Sequence, residues 1–217
     1  MTEDLFLKNC DCPLCGKAYA TPRVKRSKLR PSKVESDFCI RYKGLNPIYY
    51  QVMVCPNCGY SYTEHFSPLR PQDKEMLKKR ISPAKNDFTG ERTLELAVES
   101  YKRALLCAMM KKEKHSLLAA LNLHLAWLYR FAEDKSREEE FLQRARDYYL
   151  KMYEEEADIK DLARVVYLIG ELNRRLGNIK EAGRWFTRVI NDKEINDRGI
   201  IRMARERWQE LRLNQEA

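Results

Sequence analysis

Four cysteines stand in two short segments that repeat one pattern. The first segment is Cys12-Pro13-Leu14-Cys15-Gly16 and the second is Cys55-Pro56-Asn57-Cys58-Gly59. A pair of thiolates spaced in this way can bind a metal from one tight turn, which the proline stiffens and in which the glycine takes a left-handed backbone conformation. Two such turns complete a tetrahedral site. The sequence therefore predicts one structural zinc ion per chain, bound by Cys12, Cys15, Cys55 and Cys58.

The predicted site is closed, because four thiolates leave no coordination position for water or a substrate. Zinc is the more common occupant of such paired turns, although four thiolates also suit a single iron, as in rubredoxin-like sites. The long separation of Cys15 from Cys55 indicates an insertion between the two turns. Such an insertion is tolerated because loop-closure entropy grows slowly with length. His65 is a weaker candidate to replace a cysteine ligand, since it follows Cys58 by seven residues.

Cys10, Cys39 and Cys107 lie outside the paired turns. Cys10 or Cys39 is a candidate auxiliary thiol beside the metal, either as an exchangeable ligand or as a sensor of oxidation. For Cys39 the alternative is a small buried apolar group, which is the usual role of a free cysteine. The odd number of remaining thiols fits a reducing compartment better than a disulfide framework.

The composition indicates a soluble globular protein, with 44% hydrophobic and 34% charged residues. The first residues lack a basic segment followed by a long apolar run, so no secretory signal is expected. The longest apolar stretches, such as residues 104–110, are too short to span a bilayer. We therefore expect a cytoplasmic protein that has no membrane partner.

Six basic residues fall within eleven positions between the paired turns: Arg23, Lys25, Arg26, Lys28, Arg30 and Lys33. Of the formal net charge of +9, residues 1–70 contribute +5 from 11 basic and 6 acidic residues, and residues 71–217 contribute +4 from 30 and 26. The charge is mild and spread out, so it permits an anionic partner without requiring one. The basic run is a candidate contact for nucleic acid or another anion, and a solvated loop is the alternative.

The chain divides into two kinds of pattern at residues 67–90, where prolines at 68, 71 and 83 leave room for one short helix between 72 and 80. In residues 1–66, the paired cysteine turns and the β-branched and aromatic residues beside them predict a small β zinc ribbon. Its strands are expected at 17–21 and at 48–54. Residues 91–217 carry apolar residues at helical spacing. That spacing predicts six helices, near residues 94–108, 117–128, 136–152, 159–176, 178–190 and 198–213. The expected fold class is mainly α with a small β zinc ribbon.

Small and aromatic residues in the last third have the spacing of a tetratricopeptide repeat, in which two antiparallel helices approach closely. They are Gly170, Gly177, Ala182, Phe186 and Val189. Partial copies of the second-helix half of the pattern occur earlier at Ala97 and Ala145, but at intervals longer than the standard period. The sequence therefore predicts irregular, tetratricopeptide-like antiparallel helices, and an ordinary helical bundle is the alternative.

Several segments together resemble a known bacterial family. They are the paired cysteine turns, Arg26-Ser27-Lys28-Leu29-Arg30, Ser36-Asp37-Phe38-Cys39, Asn46-Pro47 and Ala126-Trp127-Leu128-Tyr129-Arg130. The family is the uncharacterised domain of unknown function two-two-two-five, and the resemblance covers nearly the whole chain. It implies a zinc ribbon followed by tetratricopeptide-like helices, and it implies no activity.

Catalytic patterns are lacking, since the sequence has no HExxH, glycine-rich phosphate loop or serine elbow. His115 and His124 are nine residues apart, which does not place them side by side on a helix. The favoured function is a non-catalytic interaction module that binds a protein or peptide on its helices. Aromatic and arginine-rich faces are the candidate surface: Tyr148, Tyr149, Tyr153, Arg184 and Trp185. The alternatives are nucleic-acid binding through the ribbon, with Tyr42, Tyr49 or Tyr50 stacking on bases, and thiol or metal sensing.

Overall fold

A computed structural model describes residues 3–156 and 159–216 of the chain. The N-terminal part consists of three antiparallel hairpins, each of two strands. They pair β1 (Leu5–Asp11) with β2 (Ala18–Val24), β3 (Pro31–Val34) with β4 (Ile40–Tyr42), and β5 (Met53–Val54) with β6 (Ser61–Tyr62). One cysteine pair lies at the turn of the first hairpin and the other at the turn of the third. The second hairpin belongs to the insertion between them.

The strand predicted at 48–54 is wrong over its first half. Residues Pro47–Tyr50 form a turn of 3₁₀ helix instead, and only Met53–Val54 are extended. The side chain of Asn46 accepts a hydrogen bond from the backbone N–H of Ile48 (3.1 Å) and so caps this turn. Proline at the first helical position has a suitable φ and needs no donor, so Asn46-Pro47 starts a helical turn despite the β-branched and aromatic residues that follow.

The rest of the described chain is mainly helical, as predicted. The helices are α1 (Pro71–Arg80), α2 (Leu94–Lys111), α3 (His115–Phe131), α4 (Lys135–Glu155), α5 (Leu162–Arg175), α6 (Ile179–Asn191) and α7 (Arg198–Glu216). None of the helices in the described ranges is both long and apolar enough to cross a membrane.

Two of the expected helix starts differ in detail. Helix α4 begins one residue before Ser136, because the carboxylate of Asp134 accepts the backbone N–H of Arg137 (3.0 Å) and caps the helix there. Helix α6 begins one residue after the expected start, and Asn178 precedes it in the capping position without a side-chain capping bond. Asn178 donates instead to the side-chain oxygen of Asn173 on α5 (3.3 Å).

Helices α5 and α6 approach closely at a glycine. A Cβ atom added to Gly170 would lie 2.9 Å from the ring of Phe186, so a larger residue would push the helices apart. Ala182 and Phe186 are fully buried at this contact, and Gly177 takes a positive φ of 77° in the turn between the helices. This is the close approach that the small-residue spacing predicted. The repeat assignment itself stays a prediction.

The apolar core crosses the predicted boundary at 67–90. One cluster unites Cys39, Val52 and Val54 of the hairpin region with residues of α2 to α5. Another unites the cysteine turns with Leu77 of α1 and Cys107 of α2. The division into two domains remains a prediction. Because the two parts share these clusters, we expect them to unfold together.

A buried arginine adds polar contacts to the same junction. The guanidinium of Arg92, just before α2, donates to the carbonyl oxygens of Tyr49 (3.0 Å) and Val52 (2.8 Å). Its backbone N–H donates to the hydroxyl of Tyr50 (3.2 Å). Burial lowers the pKa of Arg92 to about 10, which leaves it charged at neutral pH. The carbonyl oxygens of the insertion thus stabilise a cation supplied by the helical part.

Candidate functional site

The two cysteine turns face each other and bring four sulfur atoms together. The Sγ atoms of Cys12 and Cys58 are 3.6 Å apart, those of Cys15 and Cys55 are 3.8 Å apart, and all four lie within 4.8 Å of one another. With Zn–S bonds of about 2.3 Å, tetrahedral geometry requires sulfur atoms roughly 3.8 Å apart. The four cysteines could therefore hold one metal ion.

Both turns use the same backbone hydrogen bonds. The N–H of Gly16 donates to the carbonyl of Cys12 and the N–H of Gly59 donates to that of Cys55, each at 2.9 Å. Gly16 and Gly59 have positive φ angles of 73° and 77°, which is the left-handed conformation expected from the sequence pattern. The chain thus presents its sulfur pairs from two turns of matching geometry.

The crowding of the sulfurs has an electrostatic consequence. The hydrogen bond from Cys58 lowers the pKa of Cys12 to about 5, and the same contact raises the pKa of Cys58. The contact therefore favours a thiolate at Cys12 and a thiol at Cys58. A divalent cation favours deprotonation of all its thiol ligands, so metal binding releases protons from this cluster.

Asn57 links the two turns at their exposed side. Its side-chain amide donates to the Sγ of Cys15 (3.4 Å) and its oxygen accepts from the ammonium of Lys17 (2.8 Å). An amide donor to a ligand sulfur orients that sulfur and offsets part of its charge. The side chain between the second pair of cysteines thus supports a ligand of the first pair.

Gly59→Ala is expected to destabilise the protein far more than Gly16→Ala. Both changes place a side chain at positive φ, which costs about 1–2 kcal/mol. A Cβ at position 59 would also lie 1.9 Å from the carbonyl oxygen of Ser82, whereas nothing lies within 4 Å of one at position 16. We expect a loss of about 1 kcal/mol for Gly16→Ala and more than about 3 kcal/mol for Gly59→Ala, measured by urea unfolding. Equal losses would contradict the close contact between the second turn and the segment after α1.

The other candidate metal-site residues lie apart from the four sulfurs. In the described residues, the group of potential ligands that comes together contains Cys12, Cys15, Cys55 and Cys58, without Cys10, Cys39 or His65. Cys39 is fully buried in the main apolar cluster, and burial raises its pKa to about 12. It has the surroundings of a small apolar core residue. Cys10 is partly exposed on β1, and its Sγ contacts the carbonyl of Lys8 at 3.7 Å.

The basic run is mostly exposed, with one exception. The side chains of five of its residues face solvent: Lys25, Arg26, Lys28, Arg30 and Lys33. Arg23 instead donates to the carbonyl oxygen of Tyr50 (2.8 Å) and pairs with Glu64 (3.3 Å). Tyr50 is buried, so it cannot stack on a base as the nucleic-acid hypothesis supposed.

A buried ion cluster joins the insertion to α3. The guanidinium of Arg130 contacts Asp37 (2.6 Å), Glu35 (2.6 Å) and Glu138 (2.7 Å). The indole N–H of Trp127 donates to Oδ2 of Asp37 at 3.0 Å, the same oxygen that Arg130 contacts at 2.6 Å. Burial would raise the pKa of Asp37, but the hydrogen bond and charge of Arg130 hold it below its usual value. We call these five residues the Asp37 cluster.

Helix α5 extends the cluster on its other side. Arg175 lies 3.4 Å from Asp37 and pairs with the buried Glu171 (2.9 Å), whose carboxylate also accepts the hydroxyl of Ser36 (2.6 Å). Phe38, between these contacts, has a positive φ of 65°, which is strained for a bulky side chain. The guanidinium of Arg164 lies 4.1 Å from its ring. The ion pairs and the stacked ring hold the strained loop in place.

Two segments of the sequence carry residues of this cluster, but neither predicts it. Asp37 and the pair Trp127 and Arg130 belong to two segments that carried the family resemblance, Ser36-Asp37-Phe38-Cys39 and Ala126-Trp127-Leu128-Tyr129-Arg130. These segments are about ninety residues apart in the chain, and nothing in their local spacing predicts that they meet. Their contact is a property of the tertiary fold.

A groove with an apolar floor runs between α2 and α4. On the α2 side it is lined by Lys102, Leu105, Leu106 and Met109, and on the α4 side by Arg137, Glu140, Phe141 and Arg144. Tyr129 of α3 forms the floor, where its ring stacks on that of Phe141 with centroids 5.4 Å apart. The cavity measures about 420 Å³. We call it the α2–α4 groove.

The aromatic residues expected to form a partner surface are mostly used in packing. Tyr149 is buried in the main core, and Tyr148 is packed against it. Tyr153 and Trp185 stack edge to face with centroids 5.3 Å apart. Leu106 and Met109 were not in the predicted surface, yet they are 49% and 52% exposed. Both residues lie outside the row of apolar residues that α2 buries in the core, and this position in the sequence could have indicated that they are exposed.

Comparison with known proteins agrees with the resemblance seen in the sequence. No curated protein and no solved structure matches the chain. The family model described as "Uncharacterized protein conserved in bacteria (DUF2225)" matches residues 5–211. Since that match includes the four cysteines, the Asp37 cluster and the α2–α4 groove, the chain belongs to this bacterial family.

Proposed function

We propose that the protein is a zinc-stabilised, non-catalytic module that binds a partner protein through its helices. The observation that carries the proposal is the α2–α4 groove. Its exposed Leu106 and Met109 stand beside buried aromatic rings and near the charged side chains of Lys102, Arg137 and Arg144. An apolar patch with a polar rim is the usual form of a protein-binding surface.

Zinc is the metal that the cysteine cluster suits best. Four sulfurs at tetrahedral spacing match a closed structural site, in which the metal holds the chain and performs no chemistry. The surrounding hydrogen bonds from Asn57 and the backbone serve the same purpose. We propose that the helices stack as irregular tetratricopeptide-like pairs, since the close contact at Gly170 suits that arrangement. The free thiols support a cytoplasmic location.

The nucleic-acid alternative is supported by the five exposed basic residues of the run between the turns. Only Lys28 among them has an acidic partner in the described residues, Asp4 at 3.4 Å. The sensing alternative is disfavoured at Cys39, because burial raises the pKa of its thiol and so disfavours the thiolate that oxidation requires. At the partly exposed Cys10 it stays open.

Photo-crosslinking in bacterial cells that express the protein would test the proposed function. A benzophenone amino acid in place of Met109 is expected to give one or a few discrete crosslinked proteins, which Leu106→Glu in the same chain should abolish. The same amino acid in place of Leu213, which is 67% exposed on α7 outside the groove, is the matched control. Equal products from both positions, or none from Met109, would contradict the proposal. Products that disappear after nuclease treatment would favour the nucleic-acid alternative.

A further inference from the structure

We propose that the partner segment bound in the α2–α4 groove is an acidic amphipathic helix of another protein. This inference rests on the proposed function and specifies the chemistry of the partner. It draws on the shape of the groove, on the apolar residues inside it and on the charge of its rim.

The two walls of the groove have the same helical spacing. Lys102, Leu105, Leu106 and Met109 fall at positions i, i+3, i+4 and i+7 of α2, and Arg137, Glu140, Phe141 and Arg144 fall at the same positions of α4. Each set forms one helix face that is two turns, or about 10 Å, long. A groove between two such faces, with a third helix beneath, suits a helix that inserts apolar residues at i, i+3 or i+4, and i+7.

The interior of the groove suits large apolar anchors. Leu105, Tyr129 and Phe141 are already buried and form a fixed surface. Leu106 and Met109 are half exposed and would lose contact with water when a helix lies against them. Methionine adapts its shape to its neighbour, which is common at surfaces that bind helices. The groove therefore presents both a rigid floor and an adaptable edge.

The rim of the groove is positively charged. The residues that line the groove include three cations, Lys102, Arg137 and Arg144, and one carboxylate, that of Glu140. Lys102 has no ion-pair partner within the described ranges. Arg137 pairs with Asp134 at 3.5 Å and Arg144 pairs with Glu140 at 2.5 Å. Both pairs are solvent-exposed, and such pairs contribute little, so a partner's carboxylates can compete for these guanidinium groups.

The aromatic rings of the groove also hold the cations in position. The ammonium of Lys102 and the guanidinium of Arg137 lie 5.6 Å and 5.5 Å from the centroid of the Tyr129 ring, and the guanidinium of Arg144 lies 5.2 Å from that of Phe141. Cations placed over aromatic faces lose less freedom when an anion binds. The groove thus offers three positioned cations around an apolar centre, which is complementary to a helix with one apolar face and flanking Asp or Glu residues.

Synthetic peptides would test the inference on the zinc-loaded chain of 217 residues. The probes are three fluorescent helical peptides of about 14 residues with the same leucines at i, i+4 and i+7, and with Glu, Gln or Lys at the flanking positions. The Glu peptide is expected to bind about tenfold more tightly than the Gln peptide and to weaken as salt is raised, and the Lys peptide is expected not to bind. Arg137→Glu combined with Arg144→Glu should reverse the order. Arg202→Glu, at a 78% exposed arginine of α7 outside the groove, should leave it unchanged.

The outcomes separate this inference from the proposed function. If all three peptides bind equally and Leu106→Glu abolishes binding, the acidic-helix inference is overturned while the binding groove remains. If no peptide binds but Met109 still crosslinks to a discrete protein, the inference also fails alone. If sedimentation detects a dimer that Leu106→Glu dissociates, a second copy of the chain occupies the groove and the inference is overturned. Absence of both peptide binding and crosslinking would remove the proposed function as well.

Discussion

Cys55→Ser is expected to release the metal and to unfold the hairpins and the helices together. Structural zinc contributes on the order of 10 kcal/mol of folding free energy in small zinc domains, whereas whole domains are stable by about 5–15 kcal/mol. Loss of one ligand therefore removes most of the stability. Cys55 is fully buried in the same apolar cluster as Leu77 of α1 and Cys107 of α2, so disorder in the turns would expose the helical core.

Metal analysis and urea unfolding would check this expectation. All three tryptophans, at 127, 185 and 208, lie in the helical part, so their fluorescence reports on the helices while the metal content reports on the cysteine turns. The wild type should lose metal and tryptophan signal in one transition, and Cys55→Ser should lack both the metal and the native fluorescence. Cys10→Ser, at a cysteine outside the cluster, is the control and should resemble the wild type. Native helices in Cys55→Ser without metal would instead support the two-domain division at 67–90.

Shared packing is the reason for expecting one transition. The backbone of Gly59 lies so close to Ser82 that no Cβ fits between them. Nearby, the buried ion pair of Lys111 and Glu113 holds the start of the predicted linker, because the backbone N–H of Ser67 donates to Glu113 (3.0 Å). The first contact connects the second cysteine turn to the predicted linker, and the second connects that linker to the residues just after α2. Composition and proline spacing detect where the pattern changes, but they carry no information about which surfaces pack together.

The features predicted well from the sequence are those that short-range chemistry determines. A turn with two cysteines, a proline and a glycine has one favourable geometry, so the clustering of the four cysteines could be predicted from their spacing. Helical periodicity likewise located all of the long helices within a few residues. The 3₁₀ turn at Pro47–Tyr50 was missed because the capping side chain of Asn46 outweighed the β preference of the residues after it.

The Asp37 cluster and the α2–α4 groove could not be predicted, because each depends on residues that are distant in sequence. From the sequence alone, Asp37 would be expected to lie at the surface. It is instead fully buried against Trp127 and Arg130. The groove needs α2 and α4 to flank Tyr129 of α3, which is a consequence of how three helices pack. Sequence patterns show which residues are unusual, and the tertiary fold determines which of them meet.

Arg130→Met is expected to destabilise the protein by about 3–5 kcal/mol, because it leaves the buried carboxylate of Asp37 without its main partner. Asp37→Asn should cost less, since its amide oxygen can still accept the indole N–H of Trp127. Combining Asp37→Leu with Arg130→Met should recover part of the loss, because neither charge remains buried. Arg202→Met, which breaks an exposed pair with Glu206 on α7, is the control and should leave stability unchanged. Urea unfolding of the four variants would measure these differences.

The same cluster predicts how stability depends on pH. Arg130 holds the pKa of Asp37 below its usual value of 3.8 in the folded protein. A carboxylate with a lowered folded pKa stabilises the protein above its unfolded pKa, and that stabilisation is lost as the pH falls below about 4. Burial also lowers the pKa of His124 from 6.5 to about 4, so the wild type weakens between those values for a separate reason. The difference in unfolding free energy between wild type and Asp37→Asn removes the histidine contribution. It should stay constant above about pH 5 and shrink below about pH 4, and a difference that persists at lower pH would contradict a charged Asp37 in the fold.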